Sequence, residues 1–216
     1  MCPLTCSDAP AREECVARPA WSVDRRMRLR IAATVVPRRV AVEKYMLIGA
    51  SVVAVAGAVP DVRGRRIPNL LTYGSLLSAL AVRGFVVGWP GLQSGLIGVL
   101  AGGGIFYVLF LVGGMGGGDV KLMGAVGAWA GASETVAILI ATALAGGVLA
   151  LVYMVHHKRV RATLANTLEL IRHHLTSGLR PHPILNIREP GMIRVPYGLA
   201  IALGTLYCLG QSLAGR

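Results

Sequence analysis

Charged side chains are scarce in this sequence. Only 15% of its 216 residues are Asp, Glu, Lys or Arg, whereas 54% are apolar. A soluble domain averages about 25% charged residues, so an ordinary soluble protein is excluded. Residues 92–113, 135–155 and 196–213 carry no charge at all. Each segment is close to the ~20 residues that a helix needs to cross ~30 Å of hydrocarbon, which predicts a protein that crosses the membrane several times.

Paired metal-binding motifs are also missing. No two of the four cysteines are spaced as C-x-x-C, so neither a zinc site nor a disulfide framework is indicated. The five histidines lack the i, i+4 spacing of a metal-binding pair, and adjacent histidines project to different helix faces. We therefore expect no metal or other cofactor. The residues concerned are Cys2, Cys6, Cys15, Cys208, His156, His157, His173, His174 and His182.

The apolar segments predict an all-α transmembrane bundle of about six spans. Its formal net charge of +12 would suggest nucleic acid in a soluble protein. Here the basic residues lie between the spans, where they set orientation in the bilayer, so no nucleic-acid partner is expected. The fourth span is short for a full crossing and could be tilted or partly re-entrant. The predicted spans are 45–60, 70–88, 92–113, 119–133, 135–155 and 196–213.

The distribution of Lys and Arg predicts which side is cytoplasmic. From residue 45 on, eleven basic residues flank one set of span ends, whereas only Arg83 and the terminal Arg216 lie near the opposite ends. The basic side is cytoplasmic by the positive-inside rule. It includes the loop 156–194, in which apolar residues spaced by 4, 4, 3 and 4 predict an amphipathic helix over 158–175. That helix would lie on the inner leaflet or pack on other cytosolic loops.

Residues 1–44 form a polar, Arg-rich stretch without the apolar core of a signal peptide. Its nine basic residues contradict the predicted topology, which places this stretch outside. Either the tail is an exception, or the natural start is Met46 and the first 45 residues are a gene-model extension. We favour the second explanation and assign the membrane domain to residues 45–216.

Carboxylates are the rarest chemically useful groups in the membrane domain. From residue 45 on there are five, and only Asp61 and Asp119 fall at the predicted cytoplasmic edge of the spans. Carboxylates at the edge of hydrocarbon are costly and are candidates for function. Two intervening spans return the chain to the same side, so the two acids can face each other. A close pair of carboxyls can share a proton and activate water, as in aspartic proteases.

Each aspartate also has a simpler explanation. Asp119 follows the glycine run 113–118 and could cap a helix, and Asp61 could pair with a neighbouring arginine. The glycine run also leaves room for an extended substrate near Asp119. It is not a P-loop, because Asp119-Val120-Lys121 follows where G-K-[ST] is required. Lys121 faces another side of the helix from Asp119 and is an interfacial anchor or a contact for an acidic substrate residue. Asn69, after Pro68, is a candidate cap of the second span.

Three motifs at span boundaries resemble the signatures of type IV prepilin peptidases, which are intramembrane GxGD-type aspartyl proteases. They are D-V-R-G-R-R-I-P-N at 61–69, G-G-G-D-V-K-L at 116–122 and V-P-Y-G at 195–198. The resemblance implies that Asp61 and Asp119 are the catalytic pair, with Gly116 and Gly118 as the glycines of GxGD. It also implies that Pro196, Tyr197 and Gly198 shape the site.

The resemblance further implies a substrate and a location. Such enzymes remove a short basic leader from prepilins or pseudopilins at the cytoplasmic face of the bacterial inner membrane. The sequence has no insert with paired C-x-x-C motifs, which resembles the short form of tight-adherence (Flp-type) pilus systems and makes methyltransferase activity doubtful. The alternatives are a non-enzymatic membrane component of a pilus or secretion apparatus and a proton-coupled transporter. A transporter would need an acid near the bilayer midplane, and no predicted span supplies one.

Overall fold

The computed structural model describes residues 25–64, 67–157 and 196–215 and a few single positions between 165 and 176, with side chains from Ala41 onward. In the three continuous segments, all regular secondary structure is helical. The chain divides into two units, Met1–Val40 and Ala41–Arg216. The helices are α1 (Arg25–Gly64), α2 (Asn69–Val87), α3 (Trp89–Leu111), α4 (Gly117–His156) and α5 (Tyr197–Leu213).

Four of these helices are long and apolar enough to cross a bilayer. The crossing segment of α1 is Ala41–Gly64, and α2, α3 and α4 qualify over their full lengths, whereas α5 is a shorter apolar helix. Helices suit hydrocarbon because each satisfies its own backbone hydrogen bonds. Large apolar side chains also lie on the outside of the bundle, including Phe85 at 91% and Leu70 at 86% exposure. The chain is therefore a multi-pass membrane protein, and the part that the structure describes is all-helical.

Helix α4 is interrupted at Gly131. This glycine has φ 77° and ψ 179°, outside the helical region, and lies close to the boundary predicted between the fourth and fifth spans. A Cβ atom on Gly98 would overlap the Gly127 carbonyl and lie 3.1 Å from Thr135 Oγ1. In a straight helix Gly127 and Thr135 would be separated by ~12 Å along the axis. The two halves of α4 therefore meet at a sharp bend, rather than forming one 40-residue rod.

The core forms where α1, α4 and α5 pack through small residues. Leu122 of α4 is fully buried, and a Cβ on Gly57 of α1 would lie 2.5 Å from its Cδ1 atom. Beyond the bend, a Cβ on Gly204 of α5 would lie 2.6 Å from the backbone nitrogen of Thr142. Glycine at these positions lets the helix backbones approach closely, as is common in membrane bundles.

Two sequence-based expectations fall at the limits of the described chain. The predicted boundary between tail and membrane domain, at residue 44, lies inside α1, and that division stays a prediction. The predicted amphipathic helix 158–175 lies mostly outside the described residues.

Asn69 is not the cap of α2: Pro68 occupies the cap position, and no side chain caps this end. The Asn69 side chain instead accepts a hydrogen bond from Lys121 Nζ at 3.0 Å.

Candidate active site

Asp61 lies in the last turn of α1 and is only 8% exposed. Its Oδ2 atom accepts a hydrogen bond of 2.8 Å from the backbone N–H of Gly198, at the start of α5. The first N–H groups of a helix have no partner within the helix, so a carboxylate there satisfies an otherwise free donor. This bond joins α1 to α5. The suggested pairing of Asp61 with a neighbouring arginine stays a prediction.

Asp119 lies in the first turn of α4 and is 9% exposed. It is not the cap residue, since Gly116 occupies that position. Its carboxylate instead accepts a backbone hydrogen bond from Gly116, which is the reach from the third helical residue back to the cap. Its Oδ1 atom is buried without a hydrogen-bond partner among the described residues. Capping therefore explains one oxygen of Asp119 and leaves the other unexplained.

The two aspartates meet at one end of the bundle. Their carboxyl groups lie within electrostatic range of each other, although 58 residues separate them in sequence. The packing of Leu122 on Gly57 brings the two helices together one turn away. Two buried acids in electrostatic range of each other can share a proton and act together on a water molecule.

Pro196, Tyr197 and Gly198 form the start of α5 beside these acids. Pro196 is the cap residue, and its carbonyl accepts a hydrogen bond from the N–H of Leu199 at 3.2 Å. Tyr197 lies in electrostatic range of Asp119, and its ring packs 3.5 Å from where a Gly146 Cβ would be. A tyrosine here closes one side of the acid pair, next to the second half of α4.

Gly198 is buried directly against Asp61. A Cβ on Gly198 would lie 2.8 Å from Asp61 Oδ2 and 3.0 Å from Asp61 Cβ. Such distances are too short for any side chain, so glycine is required for the backbone to reach the carboxylate. The sequence motif includes Gly198, but its bond to Asp61 joins residues 137 positions apart, and no local signal reveals that contact.

Gly116 and Gly118 differ in what surrounds them. A Cβ on Gly116 would lie 3.2 Å from Asp119 Oδ2, which is tighter than ordinary packing. A Cβ on Gly118 would lie 3.4 Å from the Cβ of Ile67, an ordinary contact with the segment that follows α1. Gly116 therefore leaves room for the Asp119 carboxylate, and Gly118 lies where the two aspartate motifs meet.

Lys121 does not join this group. Its Nζ atom donates to Asn69 Oδ1 at 3.0 Å and lies 5.2 Å from the centre of the Tyr73 ring. These contacts tie α4 to α2 on another face of α4 from Asp119. The structure brings several residues singled out in the sequence together around the two acids: Gly116, Tyr197 and Gly198. Gly118 and Pro196 lie at the edge of this group. Lys121 lies apart from it.

No curated protein and no solved structure matches the chain. A family model does match, and its range begins within α1 and ends near the end of α4, so that it includes both aspartates. The matched family, over residues 47–151, is the type IV leader peptidase family, and this segment of the chain belongs to that prepilin-peptidase type of family.

Proposed function

We propose that the protein is a membrane aspartic endopeptidase with Asp61 and Asp119 as its catalytic pair. Its substrates would be type IV (Flp-like) prepilins or pseudopilins, from which it removes the short basic leader. The observation that supports this best is the buried Oδ1 atom of Asp119, which has no partner among the described residues and lies in electrostatic range of a second buried acid. A buried polar atom of this kind calls for an explanation, and a catalytic water supplies one.

The proposed reaction is hydrolysis of one peptide bond by water. One carboxylate takes a proton from the water molecule while the water oxygen attacks the scissile carbonyl carbon. The other carboxyl, held protonated, hydrogen-bonds to the carbonyl oxygen. The C–N bond then breaks, the leaving nitrogen receives a proton, and the new carboxyl terminus retains the oxygen from water. Buried like charges cannot both ionise cheaply, which favours this division of roles.

The surrounding residues would admit and hold the substrate. Gly116 and Gly118 keep side chains away from the approach to Asp119, so an extended peptide can lie close to it. Gly198 fixes the position of Asp61 through its N–H, which would orient the carboxylate toward the water. Tyr197 and Pro196, at the start of α5, would form one wall of the site.

We also propose the orientation in the membrane. With the bend at Gly131 counted as a reversal and α5 as a further crossing, the chain would cross six times. Asp61 and Asp119 would then lie at the basic, cytoplasmic face of the bacterial inner membrane. An acid pair at the cytoplasmic face suits a substrate whose apolar segment is in the bilayer while its leader remains in the cytoplasm.

A non-enzymatic role in a pilus or secretion apparatus is the second candidate. It is favoured by the fact that each aspartate has a structural hydrogen bond, Asp61 to Gly198 and Asp119 to Gly116. It predicts that asparagine, which retains an acceptor oxygen, would substitute for either acid without loss.

The deciding experiment co-expresses the protein with a prepilin and follows loss of the leader by gel mobility. Asp61→Asn and Asp119→Asn should each slow cleavage by at least about a hundredfold, because the variant loses an ionisable group needed for proton transfer. Glu134→Gln is the matched control, since Glu134 lies beyond the Gly131 bend and lines a cleft with Tyr207 and Cys208. Wild-type cleavage by either Asn variant, present at normal levels in the membrane, would disprove the catalytic pair.

A further inference from the structure

A second polar cluster surrounds Arg83, at the end of the bundle opposite the aspartates. Arg83 lies in the last turns of α2 and is completely buried. Its Nη2 atom forms an ion pair of 3.0 Å with Glu43 of α1, whose side chain is 40% exposed. Burying a guanidinium is costly unless it is paired and hydrogen-bonded. The buried position of Arg83 therefore needs an explanation other than anchoring at the membrane–water interface.

The reason lies at the bend of α4. Arg83 donates two hydrogen bonds to the carbonyl oxygen of Trp129, from Nε at 3.1 Å and from Nη2 at 2.7 Å. The last carbonyls of a helix have no N–H partner within it, and the break at Gly131 creates such an end in the middle of α4. A buried carbonyl without a partner costs free energy, so Arg83 supplies what the bend removes.

Other contacts secure both sides of the same bend. Ser94 Oγ of α3 accepts a hydrogen bond of 3.1 Å from the N–H of Ala132, just after Gly131. The Trp129 indole donates to Ser75 Oγ at 3.1 Å. A Cβ on Gly131 would lie 2.6 Å from Arg83 Nη2 and 2.7 Å from Ser94 Oγ, so both groups are pressed against the bend.

The bend matters to the active site because the first half of α4 connects the two. Asp119 lies ten residues before Trp129, about 15 Å along the helix. A rod of that length tilted by about 4° moves its far end by about 1 Å. Misplacement of a catalytic group by 1 Å can cost about a hundredfold in rate.

We propose that Arg83 is a positioning residue for the proposed peptidase: by holding the Trp129 carbonyl, it fixes the bend of α4 and thereby the place of Asp119 beside Asp61. The inference rests on the proposed function for its kinetic consequence, whereas the positioning itself is a statement about geometry. The two parts are therefore tested by separate measurements.

The kinetic measurement uses Arg83→Met, Arg83→Lys and Ser94→Ala in the full chain, with exposed Arg172→Met as a matched control. Rates are expressed per folded molecule, from the detergent-solubilised fraction that elutes as a single species. Arg83→Met should lower kcat about tenfold to a hundredfold and leave KM unchanged, because Trp129 lies about 15 Å along α4 from Asp119. The kcat of Arg83→Lys should lie between those of Arg83→Met and wild type. The lysine ammonium can reach one acceptor but lacks the planar guanidinium that donates from two nitrogens.

The geometric measurement needs no activity. With the four native cysteines replaced by serine, Gly118→Cys and Ile67→Cys place a thiol pair next to the aspartates. A Cβ on Gly118 would lie 3.4 Å from Ile67 Cβ, close to the ~3.5–4.5 Å of a disulfide. Mild oxidation should close this disulfide readily in the chain that carries only the cysteine replacements, and several times more slowly when Arg83→Met is added. Maleimide labelling of the remaining thiols measures the rate.

The outcomes separate the two ideas. If the wild-type chain cleaves no prepilin, the proposed function fails, and the disulfide rate still decides the role of Arg83. If Arg83→Met is folded with wild-type kcat and disulfide rate, the positioning role is disproved. If both Arg83 variants fail to fold, Ser94→Ala takes their place. Wild-type kcat and disulfide rate in Ser94→Ala would then reduce the cluster to a folding element only.

Discussion

The backbone N–H of Gly198 donates to the carboxylate of Asp61 at 2.8 Å, and through this bond the last helix of the bundle fixes an acid on the first. The bond requires that position 198 have no side chain, because a Cβ there would lie 2.8 Å from the same oxygen. One glycine therefore sets the position of one half of the proposed catalytic pair.

Replacement of Gly198 should consequently impair catalysis more than folding. In Gly198→Ala the methyl group displaces the Asp61 carboxylate, and we expect kcat to fall about tenfold to a hundredfold. Gly210→Ala, on the same helix with nothing within 4 Å of its Cβ position, should retain wild-type kcat. The test is the initial rate of leader removal per folded molecule. Equal rates in the two variants would show that the Gly198 contact has no role in catalysis.

Much of this architecture could be predicted from the sequence. Charge-free segments locate α3, the second half of α4 and α5, because burial of backbone in hydrocarbon permits only apolar helices. The break at Gly131 lies close to the predicted boundary between two spans. Asp61 and Asp119 could be singled out because acids are rare in such a chain, and the structure brings them together.

Contacts that depend on three-dimensional packing could not be predicted. In the sequence, Arg83 is a single charge near a span end, and nothing in its neighbourhood indicates a complete burial against the bend of α4. Its partner Glu43 falls in the stretch assigned to the tail, so it is not among the acids of the predicted membrane domain. The motif groups Lys121 with the site, although its bond is to Asn69.

Adjacent glycines of the motif before Asp119 should differ in their tolerance of alanine. Gly116→Ala places a methyl group 3.2 Å from Asp119 Oδ2, so the carboxylate must shift and cleavage should slow about tenfold or more. Gly117→Ala meets only Phe110 at 3.6 Å and should keep most of the wild-type rate. Side-by-side cleavage assays of the two variants measure the difference. A greater loss in Gly117→Ala would contradict the steric argument.

Two buried threonines of α4 should respond in opposite ways to valine. Thr135 Oγ1 donates to the Gly131 carbonyl at 2.6 Å, and Thr135→Val should cost about 1 kcal/mol by leaving that carbonyl without its donor. Thr142 Oγ1 is buried without a partner among the described residues, so Thr142→Val removes no hydrogen bond and should be neutral or slightly stabilising. Thermal unfolding in detergent ranks the variants. The prediction is wrong if Thr142→Val is the less stable of the two.

Gly131 should tolerate a side chain poorly. At φ 77° and ψ 179° a residue with a Cβ is strained by ~1–3 kcal/mol. The added methyl group would also meet Arg83 Nη2 at 2.6 Å, so it would weaken the contacts that hold the Trp129 carbonyl. Gly131→Ala should therefore destabilise the fold by about 2 kcal/mol or more and slow disulfide closure between positions 67 and 118.

Gly147→Ala is the matched control, because Gly147 is exposed on the same helix with nothing within 4 Å, and alanine there should raise helix stability by up to ~1 kcal/mol. Unfolding temperatures and disulfide closure rates are measured on both variants. A Gly131→Ala variant as stable as wild type would mean that α4 can straighten or bend elsewhere without loss of stability.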